Sequence, residues 1–501
     1  MTMRSRPITL RWRSADRTRY RSWCMSHIEL RCPKCGITRP ADMSAEACRD
    51  CGSPMDVGYL ATRDTKGDTA PSPVHETSAR VTLGEGNTPC VILNTIGGRL
   101  PLGRLRAKLE FLNPTGSFKD RGTATMLSVA RERGVTELVE DSSGNAGASV
   151  SAYAARAGIK AHIFVPADAP EAKLRQIRAY GTEVHPIAGP REAVTAAAIA
   201  YAQQNALVYA SHMLSPYFAE GTKAFAYEVV EQLEDDLPGH VVFPVGNGSL
   251  LIGAFNGFNE LLASGRIEKI PRLHCVQSQN VMPLVAAFNG QKWGPEDAAK
   301  TVAGGISIAA PSRQWQILEI LRLTGGSAVA VEESSILKFQ RDLAEDEGIF
   351  AEPTSAAAFA GLEILVDQDI IQQGDDVLVP ATGFGLKDEP PPSSKRSNNM
   401  KLQIMSPAAD RVDFKVPPAS RLAGLEGKTI GLYNNMTGGA DIAVDRVAEH
   451  IGKRFPGVKF ERYGGDLRPG RPALSRGNHI DDEEAALIAT EVDAMIGATA
   501  H

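Results

Sequence analysis

The sequence predicts an α/β protein built as two α/β subdomains with a cleft between them, preceded by a small cysteine-rich ribbon and followed by a partial α/β segment. Three observations predict it. From Arg80 to about Lys387, short β-branched runs alternate with amphipathic helical stretches, the pattern of parallel strands joined by helices. A stretch of roughly 300 residues is long for one sheet, so two subdomains flanking a cleft are expected. Four of the cysteines form two closely spaced pairs near the start, and none lies beyond Cys275.

Residues 1–25 carry Arg4, Arg6, Arg11, Arg13, Arg17, Arg19 and Arg21 against a single acid, Asp16. Such a stretch reads as a disordered tail, with an organellar transit segment as the alternative. Residues 26–60 hold Cys32-Pro-Lys-Cys35-Gly and Cys48-Arg-Asp-Cys51-Gly. Two such knuckles match a tetrahedral Zn²⁺ site of four thiolates, which leaves no open position and is therefore structural. A redox pair or four unrelated thiols is the competing reading. Residues 61–75 are rich in Asp, Thr and Pro and read as a linker.

The unit at 76–388 has strand candidates at Glu137–Glu140, His162–Val165, Glu183–Pro186, His240–Val245 and Arg272–Gln277. Helical patterns lie between them at Ala146–Ala157, Glu171–Tyr180 and Arg191–Gln204. Residues 389–400, with consecutive prolines and small polar residues, form an extended linker. In 401–501, Thr429–Tyr433 and Lys459–Tyr463 read as strands, Ala440–Phe455 and Asp481–Met495 as helices, and Ile496–Thr499 as the start of a third strand.

Hydrophobic residues are 43% and charged residues 23%, which fits a packed globular chain. The formal net charge of −5 argues against a polyanion-binding surface, so no nucleic-acid partner is expected, although a ribbon with an Arg-rich tail keeps that class open. No apolar run approaches the roughly 18 residues of a transmembrane helix, and no secretory signal is evident. The odd cysteine count points to a reducing, cytoplasmic setting.

Four further segments carry chemistry. Asn113-Pro-Thr-Gly-Ser-Phe-Lys119-Asp-Arg-Gly122 delivers a lysine from a turn onto a helix start. The helix dipole disfavours an ammonium there, which suits an amine that must deprotonate, as a Schiff-base lysine must. Asp141-Ser-Ser-Gly-Asn-Ala-Gly147 follows a strand and opens a helix, where amides and hydroxyls can hold a carboxylate, or where Ser142 or Asn145 merely caps the helix. Pro244-Val-Gly-Asn-Gly-Ser-Leu-Leu-Ile-Gly253 is a glycine-rich loop suited to a phosphate, without the dinucleotide spacing. Pro380-Ala-Thr-Gly-Phe-Gly-Leu-Lys-Asp388 again follows an apolar run.

Taken in order, with Glu85-Gly-Asn-Thr-Pro89, Gly348-Ile-Phe-Ala-Glu-Pro353 and Glu352-Pro-Thr-Ser-Ala-Ala357, these motifs resemble the threonine synthase branch of the fold type II pyridoxal-phosphate enzymes. The resemblance spans roughly residues 26–388, ribbon included. It implies that Lys119 is the Schiff-base lysine and proton shuttle. Asn145 would bond the cofactor's phenolic oxygen. Gly246, Asn247, Gly248, Ser249 and Leu250 would hold its phosphate, and Thr382 would face its ring nitrogen. Ser142, Ser143 and Gly144 would receive the substrate carboxylate. It also implies a homodimer acting on a small amino acid.

Two departures bear on the substrate. The family often has Ser-Ser-Gly-Asn-Thr, where this chain has Ala146. The family segment Asn-Ser-x-Asn-Pro-Tyr-Arg-x-Glu-Gly matches His212-Met-Leu-Ser-Pro-Tyr-Phe218-Ala-Glu-Gly, with Phe218 at the arginine position. Losing that guanidinium removes a strong partner for the phosphate of O-phosphohomoserine. An altered substrate is therefore expected, with His212 as a general acid or simply a packed histidine. Serine or threonine dehydratase, diamino-acid ammonia-lyase and β-replacement synthase are the alternatives, and a cofactor-binding regulatory pseudoenzyme is a further class. Gly427-Lys-Thr-Ile-Gly-Leu-Tyr-Asn-Asn435 resembles the opening of UGSC-type domains, which carry a Cys- or selenocysteine-Gly-Ser-Cys motif absent from this chain.

Overall fold

The computed structural model describes residues 28–44, 47–60, 71–388, 391, 422–434, 440–463 and 482–498. The tail at 1–25, most of the linker at 61–75 and all of the linker at 389–400 except Pro391 lie outside the described residues. The chain divides into two compact units, one up to Asn398 and one from Asn399.

The first unit opens with an antiparallel ribbon of β1 (Ile28–Arg31), β2 (Thr38–Pro40) and β3 (Asp56–Tyr59), with β1 central. Next come β4 (Cys90–Ile92), the single turn α1 (Asn94–Gly97), β5 (Arg104–Lys108) and α2 (Lys119–Glu132). Strand and helix then alternate through β6 (Glu137–Glu140), α3 (Asn145–Ala157), β7 (Lys160–Pro166), α4 (Glu171–Ala179), β8 (Glu183–Ile187), α5 (Arg191–Gln204) and β9 (Val208–Tyr209). After α6 (Pro216–Thr222) and α7 (Ala224–Leu233) the chain continues through β10 (His240–Pro244), α8 (Ser249–Ala263), β11 (Arg272–Ser278), α9 (Pro283–Phe288) and α10 (Gln314–Thr324). It closes with β12 (Ala328–Val331), α11 (Glu333–Glu347), α12 (Pro353–Asp367) and β13 (Asp376–Pro380).

These strands make two sheets, β8-β7-β6-β9 and β12-β11-β10-β13-β5-β4. The pairings are parallel except for β4 with β5. The expected strands lie within one or two residues of the observed ones. Strand residues alternate between faces, and both faces are covered. In the larger sheet Val242, Val276 and Val379 pack toward α11 and α12, while Val241, Cys275 and Leu378 pack toward α7, α8 and α10. In the smaller sheet Leu138, Ile163 and Val165 join α2, α3 and the ribbon residues Ile28, Leu30 and Met55 in one core. Val139 and Phe164 face α5.

The second unit has β14 (Thr429–Asn434), α13 (Ala440–Arg454), β15 (Lys459–Tyr463), α14 (Asp482–Glu491) and β16 (Ala494–Ala498). Its parallel sheet runs β15-β14-β16. The second helix ends earlier than the sequence pattern suggests, and Met495 belongs to the strand. Asp493 is the cause: its carboxylate accepts the Thr429 amide at 2.9 Å and the Lys428 ammonium at 2.8 Å, which docks the chain on the start of β14.

Candidate active site

The predicted residues come together where carboxyl ends of strands from both sheets lead into helices, the usual ligand position in parallel α/β sheets. Lys119 is the first residue of α2. Asp120, fully buried, pins the turn before it: its carboxylate accepts the Thr115 amide at 2.7 Å, the Thr115 hydroxyl at 2.5 Å and the Ser149 hydroxyl of α3 at 2.6 Å. Arg121 fastens the same turn from below through Glu110 at 2.7 Å and Glu228 at 2.6 Å. Gly122 has no side chain because Phe218 lies against it: a Cβ there would sit 2.7 Å from the ring. The motif Lys-Asp-Arg-Gly is thus one amine at a helix start followed by three residues that position it.

The Lys119 amine lies 4.2 Å from the Phe118 ring centroid and 5.8 Å from that of Phe218, and it makes no hydrogen bond or ion pair among the described residues. Burial pulls its pKa down to about 8, against the opposing pull of Glu352 and Glu140.

Asn145 opens α3, and Thr382 follows β13. Glu352, buried at the N-cap of α12, joins them: it accepts Asn145 Nδ2 at 2.8 Å and faces the Thr382 hydroxyl at 2.9 Å. Burial raises the Glu352 pKa. Ser355 Oγ lies 3.1 Å from Thr382 Oγ1, and Lys387 Nζ donates to Asn145 Oδ1 at 3.0 Å. Neither Glu352 nor Lys387 was singled out from the sequence as a site residue, although both lie inside quoted motifs; a carboxylate at a helix start after an apolar turn was the available signal.

Gly246 to Leu250 form the turn from β10 into α8. Gly248 has φ +77°, and a Cβ there would lie 2.4 Å from Ile317. A Cβ on Gly246 would lie 3.0 Å from Ile308. The backbone amides of this turn make no backbone hydrogen bonds among the described residues, and two of them, those of Ser249 and Leu250, start α8. That is a cradle for an anion at a helix N-terminus. Asn247 Nδ2 reaches Met213 Sδ at 2.7 Å, tying the cradle to the His212 segment. Ser142, Ser143 and Gly144 are half-buried in the turn after β6. Ser142 Oγ accepts the Gly144 amide at 3.3 Å, so neither Ser142 nor Asn145 caps α3.

Ala146 is buried in the first turn of α3. Phe218 is fully buried on α6, its ring 5.9 Å from that of His212. His212 Nδ1 lies 2.6 Å from Glu140 Oε1 at the end of β6. The Glu140 side chain is wholly buried and its Oε2 has no partner among the described residues. Burial pushes Glu140 up to about 8 and His212 down to about 3, so both shifts favour the uncharged forms of this pair. Glu140 is a residue that sequence does not single out; its signal is its place as the acid that closes β6 just before the Ser-Ser-Gly-Asn turn.

The four ribbon cysteines converge as the spacing predicts. Cys32 Sγ lies 3.4 Å from Cys51 Sγ, and Cys35 Sγ 3.5 Å from Cys48 Sγ, with all four within 4.8 Å of one another. Both knuckles share one geometry: the Gly36 and Gly52 amides each donate at 2.9 Å to the carbonyl of the knuckle's first cysteine. Sulfurs on one tetrahedral Zn²⁺ at about 2.3 Å would lie roughly 3.7 Å apart, so the cluster fits such an ion. The ribbon docks through Arg313, which donates to Asp56 Oδ1 at 2.5 Å and to the Met55 carbonyl at 2.9 Å. Tyr59 reaches Glu220 of α6 at 2.5 Å.

Residues 81–383 match the family model described as pyridoxal-phosphate dependent enzyme. The chain is 32% identical over 392 residues to the threonine synthase of Methanocaldococcus jannaschii, covering 75% of this chain and 96% of that protein. It is 34% identical over 335 residues to the threonine synthase of a Bacillus species, covering 67% and 92%. Among solved structures it is similar in fold to a fungal L-serine ammonia-lyase from Rhizomucor miehei, with a TM-score of 0.53 and 24% identity over 60% of this chain and 94% of that one. No helix among the described residues is long and apolar enough to cross a membrane.

Proposed function

The chain belongs to the pyridoxal-phosphate-dependent enzymes, and on that premise we propose that it is a threonine-synthase-like lyase whose substrate is an amino acid with a hydroxyl-type leaving group rather than a phosphate ester. The observation that carries this is the buried Glu140–His212 pair, 2.6 Å apart beside Phe218, where the family pattern has an arginine. A phosphate dianion leaves without being protonated, whereas a hydroxyl needs a proton. His212 with Nδ1 bonded to a carboxylic acid carries its hydrogen on Nε2. As Nε2 gives that hydrogen to the departing oxygen, Nδ1 takes the one held by Glu140, and the charge left behind is a carboxylate.

The remaining residues fit pyridoxal phosphate. When bound, that cofactor withdraws electrons from the carbon bearing the amino group. Lys119 would hold it covalently and move a proton between adjacent substrate carbons, helped by an amine that deprotonates near pH 8. The amides of Gly246, Asn247, Gly248, Ser249 and Leu250 would hold its phosphate. Thr382 would face its ring nitrogen, its hydroxyl held in place by its hydrogen bond to the buried Glu352 carboxyl at 2.9 Å. Asn145 keeps one amide hydrogen beyond its bond to Glu352. Ser142, Ser143 and Gly144 would receive the substrate carboxylate, with Ala146 leaving room beside them. Cys32, Cys35, Cys48 and Cys51 would hold a structural Zn²⁺. By the same resemblance the enzyme is a cytoplasmic homodimer.

The relatives favour a second reading, threonine formation from O-phosphohomoserine. A substrate panel separates the two: steady-state release of phosphate from O-phosphohomoserine against release of ammonia and keto acid from serine and threonine. Turnover of the hydroxy amino acids with phosphate release at least 100-fold slower is expected. Threonine made from O-phosphohomoserine at about 10 per second, an ordinary enzymatic rate, would overturn the proposal.

A further inference from the structure

A second group of metal-binding side chains lies on the smaller sheet, outside the chemistry above. Strand register sets Glu137 beside Lys160, Val139 beside His162, His162 beside Glu183 and Phe164 beside His185. Residues two apart on a strand share a face, so Glu137, Lys160, His162, Glu183 and His185 all project to the side covered by α5. His162 Nδ1 lies 3.2 Å from His185 Nε2 and 3.6 Å from Glu183 Oε2, and His185 Nε2 lies 3.5 Å from Glu183 Oε1. The other nitrogen of His162 lies 3.0 Å from Glu137 Oε2. Asn145 and its neighbours follow the carboxyl end of β6, whereas Glu137 is that strand's first residue.

We propose that His162, His185 and Glu183 form a binding site for a divalent cation of the zinc class, with one coordination position open to solvent. A tetrahedral ion with ligand bonds of about 2.0–2.1 Å sets its ligand atoms roughly 3.3–3.4 Å apart; the His162 Nδ1–His185 Nε2 and His185 Nε2–Glu183 Oε1 separations, 3.2 and 3.5 Å, bracket that value, and one ligand atom from each of the three residues lies within 4.8 Å of the others. Two imidazoles and a carboxylate suit zinc and its first-row neighbours rather than magnesium or calcium. The surroundings match as well. Glu137 accepts the Nε2 hydrogen of His162, which leaves the Nδ1 lone pair turned inward and fixes the ring, the carboxylate–histidine–metal arrangement. The His185 ring stacks on Phe164 with centroids 4.5 Å apart and planes 13° apart, which fixes the second ligand. Lys160 Nζ occupies Glu183 Oε2 at 3.2 Å and leaves Oε1 for the ion. Buried His162 closes the site from within, while half-buried His185 and exposed Glu183 leave it an entrance.

A hydrogen bond between the two histidines explains one of these distances but does not call for a carboxylate close to both rings. Because β8 is the sheet's edge strand, an ion here would tie that edge to β7. Unlike the four-thiolate ribbon, the site would keep a place for water or an outside ligand.

The test counts metal. Full-length, cofactor-loaded protein is stripped of loosely held metal, equilibrated with Zn²⁺ and analysed for zinc per chain, beside His185→Phe, which keeps the stack on Phe164, and His185→Gln. The wild type should hold one equivalent more than either variant. Glu137→Leu should keep that equivalent with affinity lowered by about 10- to 100-fold. With Co²⁺ the extra equivalent should show the weak visible bands of nitrogen and oxygen ligands, without the thiolate charge-transfer absorbance of the ribbon. Equal zinc content in the wild type and a folded His185 variant, judged by its bound cofactor, overturns the proposal. Its failure would leave the lyase reading untouched, since neither rests on the other.

Discussion

Replacing Glu140 by Gln separates proton donation from positioning. The side chain is wholly buried, 2.6 Å from His212 Nδ1, and burial holds its pKa up to about 8. At pH 7 that upward shift favours the protonated form. Glutamine has the same shape and its amide can still donate to Nδ1, so the imidazole keeps its tautomer, but an amide does not release its hydrogen as an acid. A positioned general acid contributes about 10²–10⁴ in rate, which at 1.36 kcal/mol per decade is about 2.7–5.4 kcal/mol. The assay compares kcat for serine, whose hydroxyl needs a proton, with kcat for β-chloroalanine, whose chloride does not. Glu140→Gln should lower the first by about 100-fold or more and leave the second within a few-fold.

The pH profile gives a second readout. Wild-type turnover of serine should fall as pH rises through about 8, and the Gln variant should lose that limb. The sign for stability follows from the same shift. The folded pKa lies above the ordinary glutamate value of 4.5, so the native state keeps a proton that the unfolded chain releases. That contribution is fully present below about pH 4.5 and is lost as pH rises through about 8. Equal losses on both substrates, or no loss on serine, would refute the relay.

Gly248→Ala should abolish stable cofactor binding, because the new Cβ meets Ile317 at 2.4 Å and forces φ +77° on alanine; loss of visible cofactor absorbance after gel filtration, with the far-ultraviolet helix signal retained, checks this. Asp56→Ala should loosen the ribbon by leaving the Arg313 guanidinium buried without its carboxylate, a change of about 3–5 kcal/mol when one partner of a buried pair is removed. Hydrogen exchange within residues 28–59 should then speed up by about two orders of magnitude, the equivalent of roughly 3 kcal/mol, while α12 stays protected.

Much of the site was legible because its chemistry is local. Lys119, its turn residues Asn113 and Gly116 and its pinning acid Asp120 fall within one short stretch. The cysteine knuckles and the Gly246–Leu250 turn are likewise each complete within a few residues. The departures at Ala146 and Phe218 were visible as well, since they are read against a pattern. The helix boundary near Met495 was misread because a carboxylate docking on another strand ended the helix, and periodicity does not record that.

The sequence by itself determined the α/β class, the order of the motifs, the four-cysteine cluster and the place of Lys119 at a helix start, because turn chemistry and hydrophobic period act over a few residues. Only the tertiary structure decided which side chains surround that lysine. Glu140 and His212 are 72 positions apart, and Asn145 and Glu352 are 207 apart. His162 and His185 meet because β8 pairs with β7 in one register. Burial does the rest. The same glutamate that would be an ordinary carboxylate on an exposed turn has its pKa raised by burial at the closed end of β6, and no local propensity encodes how much water the finished fold leaves around it.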